Sequence, residues 1–468
     1  MIKLDPNKNK IKDPITFLDL RVEENVIKAL VNKDKEKVIE LVRVLHSADA
    51  ADLLEHISDD ERKQLIEFIG AEFNPKILTE LDKAILHQVV NCLGIENIAL
   101  ALKDLNSDDV LEVIEELDEL RKKQLLDSMP PLDRSNIEEG LSYPRDSAGR
   151  LMQREVASVP SIWKVGKTID FLRSNEDQKA KLGCNLPDQF YDLFVIDSKH
   201  KPIGAISLSR MLRVGRDTAV TDIMDTNMKI LPVNLDQEDV AFIFRQRDLV
   251  SAPVVDKSGR LVGAITIDDV VDVIHEELEE DFLRLGGVQE GDLFDATLAT
   301  TKARFSWLLV NLGTAIVVSL VIGLFDATLD QMVALAVLMP IVASMGGNAG
   351  TQTLTVAIRA LAMKELTSTN TARIIGKEAL IGVFNGILFA ILIGLVTCFW
   401  FSNLALGIVI GLAMIVNMFV AGLAGTTIPI TLNRIGIDPA VASSVVLTTI
   451  TDVVGFFVFL GLAAIILF

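Results

Sequence analysis

PAVASSVVLTTITDVVGFFVFLGLAAIILF, residues 439–468, decides the class of this chain. It is almost wholly apolar and exceeds the roughly 20 residues that cross a bilayer as a helix, and it carries one carboxylate, Asp452, near its middle. A charged side chain at that depth costs about 2.5–3.5 kcal/mol on insertion scales, so the acid points to a functional site with a cation as its natural partner. The plainer alternative is an Asp that only hydrogen-bonds a neighbouring helix. Thr448 lies one turn before Asp452, with Thr449 and Thr451 beside it, so this apolar helix has a polar face.

Four further runs of membrane-spanning length lie near 305–325, 332–358, 379–400 and 405–431. Basic residues orient the five spans: Lys302 and Arg304 precede the first, Arg359, Lys364, Arg373 and Lys377 separate the second from the third, and Arg434 follows the fourth. The other connections have no Lys or Arg, which places the N-terminus in the cytoplasm and the C-terminus outside. The start, MIKLDPNKNKIKDP, lacks a secretory leader, so residues 1–304 are expected to stay on the side where they are made. Trp307 and Trp400 fall near span ends, as in an aromatic belt.

In the second span, Pro340 is expected to interrupt the helix, and SMGGNAGTQTLT at 344–355 is too polar to face lipid. Helical spacing puts Gly347, Thr351 and Thr355 on one small, hydroxylated face, with Ser344 one turn earlier. Gly346 and Gly350 also read as a close-packing seam. Pro429 is expected to kink the fourth span. Two polar helix faces need a shared interior, and five helices with one mid-membrane carboxylate supply half a pore, so a homodimer is expected.

Of the net charge of −19, −18 falls in residues 1–304. That acidity excludes nucleic acid as a partner and favours cations. Cys92, Cys184 and Cys398 are far apart, without a thiolate zinc pattern. Residues 22–140 read as successive short amphipathic helices, with 46–69 similar to 105–129, and suggest a helical superhelix. At 192–212, DLFVIDSKHKPIGAISLSRML reads strand, turn, strand, helix, and LVSAPVVDKSGRLVGAITIDDVVDVI at 249–274 repeats that grammar. These are the marks of a tandem pair of cystathionine-beta-synthase (CBS) modules, each preceded by a helix, at 165–173 and 239–247. The last helix runs on from Asp268 to Leu285 with Glu276, Glu277, Glu279, Glu280 and Asp281, whose mutual repulsion a divalent cation would reverse.

Acidic repeats, SYPRDSAGRLM at 142–152, two CBS modules, an acidic connecting helix, GGNAGTQ at 346–352, Lys377-Glu378, GIDPA at 436–440 and TTITDVVGF at 448–456 together resemble the MgtE family of magnesium transport proteins over nearly the full length. The resemblance implies a multidomain membrane protein: an acidic helical domain at 1–140, CBS modules at 141–210 and 211–274, a connecting helix and linker at 268–300, and a five-span pore domain at 301–468. It implies a homodimeric, Mg2+-selective channel of the plasma membrane, with no enzymatic activity. Asp452 would hold the hydrated ion, with Gly347, Asn348, Thr351, Thr355 and Thr448 as further pore positions. Some members have Asn at the place of Thr351, and an Asn-Pro pair where Ser444-Val445 stands here. Cytosolic Mg2+ sensors would fall on Asp108 and Glu112 of the repeats, Glu238, Asp239, Asp248, Asp269 and Asp272 of the second module, and Glu277, Glu280 and Asp281 of the helix, with Asp438 facing that helix. Bound ions would close the pore when cytosolic Mg2+ is abundant.

Thr266-x-x-Asp269 also fits the ribose-contacting pattern of nucleotide-binding CBS modules, so ATP or another adenine nucleotide is a candidate ligand. Two rival readings are a transporter of another divalent ion such as Co2+, and a membrane-anchored nucleotide sensor without transport. An enzyme fits poorly: there is no HExxH and no P-loop, and all five His precede the spans.

Overall fold

The structure, a computed structural model, describes residues 20–174, 186–187, 189–288, 297–367 and 369–467. Residues 1–19, Cys184 and linker residues 289–296 lie outside the described residues. The chain divides into two compact units, Met1–Glu277 and Leu278–Phe468.

The first unit opens with short helices from α1 (Leu20–Val31) to α9 (Pro131–Leu141). The two similar sequence segments are both helix pairs: α3 (Ser47–His56) with α4 (Asp59–Ile69), and α7 (Ser107–Glu115) with α8 (Glu119–Ser128). Local chemistry sets their starts. The Ser58 backbone N–H donates to Glu61 at 3.0 Å, and Asp118 accepts from the Arg121 N–H at 2.9 Å. Leu53, Leu54, Leu111 and Ile114 then bury one apolar stripe of α3 and α7 in a common core. Arg62 is buried and donates to the carbonyls of Leu54 (2.7 Å) and Ile57 (3.0 Å), which fixes the corner between α3 and α4.

After α10 (Ala148–Leu151), the first module contains β1 (Ser158–Pro160), α11 (Val165–Leu172), β2 (Asp192–Ile196), β3 (Pro202–Ser207) and α12 (Leu208–Met211). Then come α13 (Val220–Ile223), β4 (Leu231–Pro232), α14 (Gln237–Arg247), β5 (Ser251–Val255), β6 (Leu261–Thr266) and α15 (Ile267–Gly286). Each module is a three-stranded sheet in chain order, its first pair parallel and its second antiparallel. The sequence reading had two strands per module; β1 and β4 are additional.

The modules also exchange segments. Residues 147–153 fall within the expected bounds of the first module, yet the Ala148 N–H donates to Leu235 O (2.7 Å) and the Gln153 N–H to Ala264 O (2.8 Å). Ala148 and Met152 thus enter the core of the second module. Reciprocally, the Val220 N–H donates to Trp163 O (3.1 Å), and Val220 and Ile223 join the first core. This departs from the expected division at residue 210. It also explains a glycine in each antiparallel strand: a Cβ at Gly204 would meet Met224 Sδ at 2.6 Å, and one at Gly263 would meet Met152 Sδ at 2.5 Å.

Among the described residues of the second unit, five helices are long and apolar enough to cross a membrane. They are α16 (Thr297–Gly323), α18 (Val333–Ala362), α19 (Thr371–Phe401), α20 (Leu404–Arg434) and α21 (Pro439–Ile466); α17 (Asp326–Gln331) links the first two. Pro340 does not interrupt α18, which continues through it, and α20 likewise continues through Pro429. Neighbouring helices restrain such positions in a bundle. The third span begins at Thr371, earlier than the apolar run, and Glu378, ahead of that run, is buried.

Without water to drive them together, membrane helices associate by close packing. Gly382 and Gly386 let α19 approach the α20 backbone at Met418 and Ile415. Asn417 on α20 is fully buried, and its Nδ2 donates to Val342 O of α18 at 2.8 Å. Gly346 of α18 and Gly455 of α21 both pack on that Asn417 side chain, so it sets three helices at one level. A Cβ at Gly382 would lie 2.5 Å from Met418 O, a backbone atom that cannot yield cheaply. Gly382→Ala is therefore expected to destabilise the membrane unit by about 1–3 kcal/mol, read as a lower Tm in detergent, whereas Gly376→Ala, in open space, leaves it unchanged.

Candidate functional site

On α18, Gly346, Gly350, Thr353, Leu354 and Ala357 are buried, whereas Ser344, Asn348, Thr351 and Thr355 are exposed and Gly347 is half-buried. The packing seam and the hydroxylated face are thus separate sides of one helix. Thr351 Oγ1 donates to Gly347 O (2.9 Å), Thr355 Oγ1 to Thr351 O (2.9 Å) and Thr448 Oγ1 to Ser444 O (3.0 Å). Each hydroxyl proton is used within its own helix, which leaves the oxygen free to accept from an ion's hydration water. Asn348 Nδ2 contacts Ser344 Oγ at 3.4 Å.

Asp452 is half-buried and makes no hydrogen bond or ion pair with any described residue. It lies three residues, about 4.5 Å of rise, from Gly455, which shares Asn417 with Gly346. That places Asp452 within about one turn of the Gly347–Thr351 level of α18.

The carboxylates of α7 and the start of α15 form a second grouping, inside the first unit. Asp108 is buried and both its oxygens lack a hydrogen-bond partner among the described residues. Burial, followed by repulsion from Asp269 and Asp109, holds its carboxyl well above the ordinary range. Asp269 is pushed up to about 7 by burial and by Asp268, against the opposing pull of Thr266, whose Oγ1 donates to it at 3.0 Å. Glu112 is raised to about 8 by loss of surrounding water and then by Glu276, Asp109, Asp272 and Glu116. Glu112 is exposed on one side, where water screens part of this repulsion. Asp272 is raised by burial and Asp268. The start of α7 is held in place by Ser107, whose Oγ donates to Glu155 (2.8 Å) and accepts from the Arg154 N–H (2.8 Å).

Other expected sensor residues lie apart from this grouping. Glu238 and Asp239 open α14, and Asp248 closes it in the left-handed region (φ 51°). Asp239 and Asp248 are nine residues apart, about 14 Å along the helix. Glu277 accepts from Gln237 Nε2 at 2.7 Å. In the second unit, Arg284 pairs with both Glu280 and Asp438, so these two acids already share a tethered cation; Asp281 follows Glu280 on the same helix. Sequence reading missed Arg284 despite its i, i+4 spacing from Glu280, and missed Asn417, a lone polar residue in an apolar run. The Thr266–Asp269 pair acts as a helix start, since Asp269 also faces the Thr266 N–H at 3.4 Å. Among the described residues, no group of three or more His, Cys, Asp or Glu is arranged to hold a metal.

Five apolar spans with an unpartnered mid-membrane carboxylate, joined to acidic helices and paired CBS modules, fit a cation transporter. Sequence comparison gives the same class: a family model described as "Divalent cation transporter" matches residues 339–462, one described as "MgtE intracellular N domain" matches 45–146, and a CBS domain model matches 220–276. The magnesium transporter MgtE of Thermus thermophilus is 30% identical over 93% of this chain and 99% of its own length. That of Enterococcus faecalis is 33% identical over 70% of this chain and 71% of its own, and that of Bacillus subtilis 29% identical over 90% and 91%. The chain belongs to the MgtE family, whose transported ion is Mg2+. Among solved structures, the soluble part of a magnesium transporter matches at 23% identity and TM-score 0.46, covering 55% of this chain and 98% of that one. The cytosolic domain of the Mg2+ channel MgtE in complex with ATP matches at 26% identity and TM-score 0.49, covering 54% and 99%.

Raised carboxyl pKa values mean that the folded cluster binds more protons than the unfolded chain. Its contribution to stability is complete below the ordinary carboxylate range and is lost as pH rises towards about 7 for Asp269 and about 8 for Glu112. In Mg2+-free buffer, the thermal transition of the first unit is expected to be higher at pH 5.5 than at pH 8.5, and Asp108→Asn should raise it at pH 8.5 and flatten the dependence.

Proposed function

We propose that this chain carries Mg2+ across the plasma membrane as a homodimer, with α18 and α21 of each copy lining the path. The observation that carries this reading is Asp452, a membrane carboxylate without a partner among the described residues, beside hydroxyl oxygens able to accept from water. Mg2+ gives up its water reluctantly and binds through one or two carboxylates while keeping several waters. Asp452 and its copy in the second subunit supply two carboxylates. Thr351, Thr355 and Thr448 face the hydration shell, and Gly347 and Asn348 shape the level at which it rests. No group of three acids is needed for such an ion. The N-terminus lies in the cytoplasm and the C-terminus outside, as the basic loops require.

Control comes from the acidic surplus. Asp108, Glu112, Asp269 and Asp272 are crowded enough to hold protons more tightly than isolated carboxyls do, and cytosolic Mg2+ replaces those protons as the counter-charge. Abundant Mg2+ binds the compact state and closes the path; scarcity lets repulsion open it. Glu238, Asp239, Asp248, Glu277, Glu280, Asp281 and Asp438 extend the same charge towards and along the connecting helix.

Mg2+ uptake into liposomes holding the purified protein tests both parts. Asp452→Ala is expected to abolish flux, and wild-type flux in that variant would refute the pore assignment. Neutralising Asp248, Asp269 and Glu280 together should preserve flux but remove its inhibition by Mg2+ on the cytosolic face; unchanged inhibition would refute the sensor assignment. Co2+ in place of Mg2+ measures selectivity.

A further inference from the structure

The pore reading leaves Glu378 unused. This residue of α19 is only 9% exposed, yet its carboxylate makes no hydrogen bond or ion pair with any described residue. It borders a cavity of about 200 Å³ between α18, α19 and α20, together with Gln352, Thr353, Asn385, Met418 and Gly422. The side chains of Gln352, Thr353 and Asn385 also lack hydrogen-bond partners among the described residues. Glu378 lies seven residues, about 10 Å, inside the start of α19, and Asn385 seven further. The nearest basic residues in sequence, Arg373 and Lys377, are exposed and neither pairs with it.

A buried polar group without a partner costs several kcal/mol, and here two, Glu378 and Thr353, border one cavity, with Gln352 and Asn385 exposed at its mouth. Their chemistry is specific: one carboxylate, two carboxamides and a hydroxyl, all able to present oxygen. We propose that this cavity is a binding site for a small monovalent cation such as Na+, held by the Glu378 carboxylate with the oxygens of Gln352, Thr353 and Asn385. Charge selects the valence. One carboxylate neutralises a single positive charge, whereas a divalent ion would leave a net charge in a low-dielectric interior. Neutral oxygens suit an ion that sheds water readily; Mg2+ does not. A proton on Glu378 would satisfy the acid alone and leave the three neutral side chains unpaired. The walls are fixed by close helix contact, since a Cβ at Gly422 would lie 2.6 Å from Glu378 O and one at Gly382 2.5 Å from Met418 O. The site is separate from Asp452 and does not depend on its role.

The test uses the full-length protein in phosphatidylcholine and phosphatidylglycerol nanodiscs without Mg2+. Thermal unfolding is followed against NaCl, with N-methylglucamine chloride keeping ionic strength constant. Wild type should gain several degrees in Tm with Na+ and saturate. Glu378→Gln should lose that gain, Asn385→Leu should need about tenfold more Na+, and Asp452→Ala should keep it, which separates this site from the pore. Thr353→Val carries the comparison if Glu378→Gln does not fold, with the same loss of affinity expected. Equal gains in the two salts, or a full Na+ gain in Glu378→Gln or in Thr353→Val, overturn the proposal. So does a gain produced by acid alone, without a Na+ response, which would make Glu378 a protonated acid.

Discussion

A carboxylate that leaves water must find a cation, a proton or a hydrogen bond, and this chain repeatedly withholds the last. Asp452 and Glu378 sit in membrane helices without a partner among the described residues, and Asp108 is buried in the first unit with both oxygens likewise unpaired. Their lack of partners leaves positions where a mobile positive charge is worth more than a fixed one. Arg284 is the instructive contrast: bonded to both Glu280 and Asp438, it shows a pair of acids satisfied permanently from within.

Fixed helices make such positions usable. A carboxylate on a mobile segment would relax towards water, but Asp452 lies one turn from a glycine seated on the fully buried Asn417, which also holds α18. Packing by small residues supplies rigidity, and the hydroxylated side of α18 is the side that this packing leaves open. One helix therefore divides its work by face: Gly346 and Gly350 bind the bundle, while Thr351 and Thr355 stay open to a ligand.

Much of this was legible in the sequence because it depends on near neighbours. Span lengths, the hydroxylated face, the repeated helix pairs and the strand, turn, strand grammar all follow from local periodicity. What escaped reading depends on distant partners. β1 and β4, at three and two residues, are too short to show alternation and exist only because β2 and β5 pair with them. Pro340 reads as a break in isolation but not inside a packed bundle. The unpaired state of Glu378, and the burial that raises Asp269, are properties of what surrounds them in space. Thr266-x-x-Asp269 was legible as a pattern but ambiguous in meaning, since a helix start requires the same two residues.

The segments exchanged between the CBS modules bear on how the protein is made. Synthesis delivers the chain from its N-terminus, so when β3 emerges the first module still lacks Val220 and Ile223, which arrive only afterwards. The second module depends on Ala148 and Met152, made long before its own strands. The early module must therefore wait for its successor, and the late one must find a strip of chain already released. Neither core is complete without the segment lent by the other, so the two modules share one folding event rather than two.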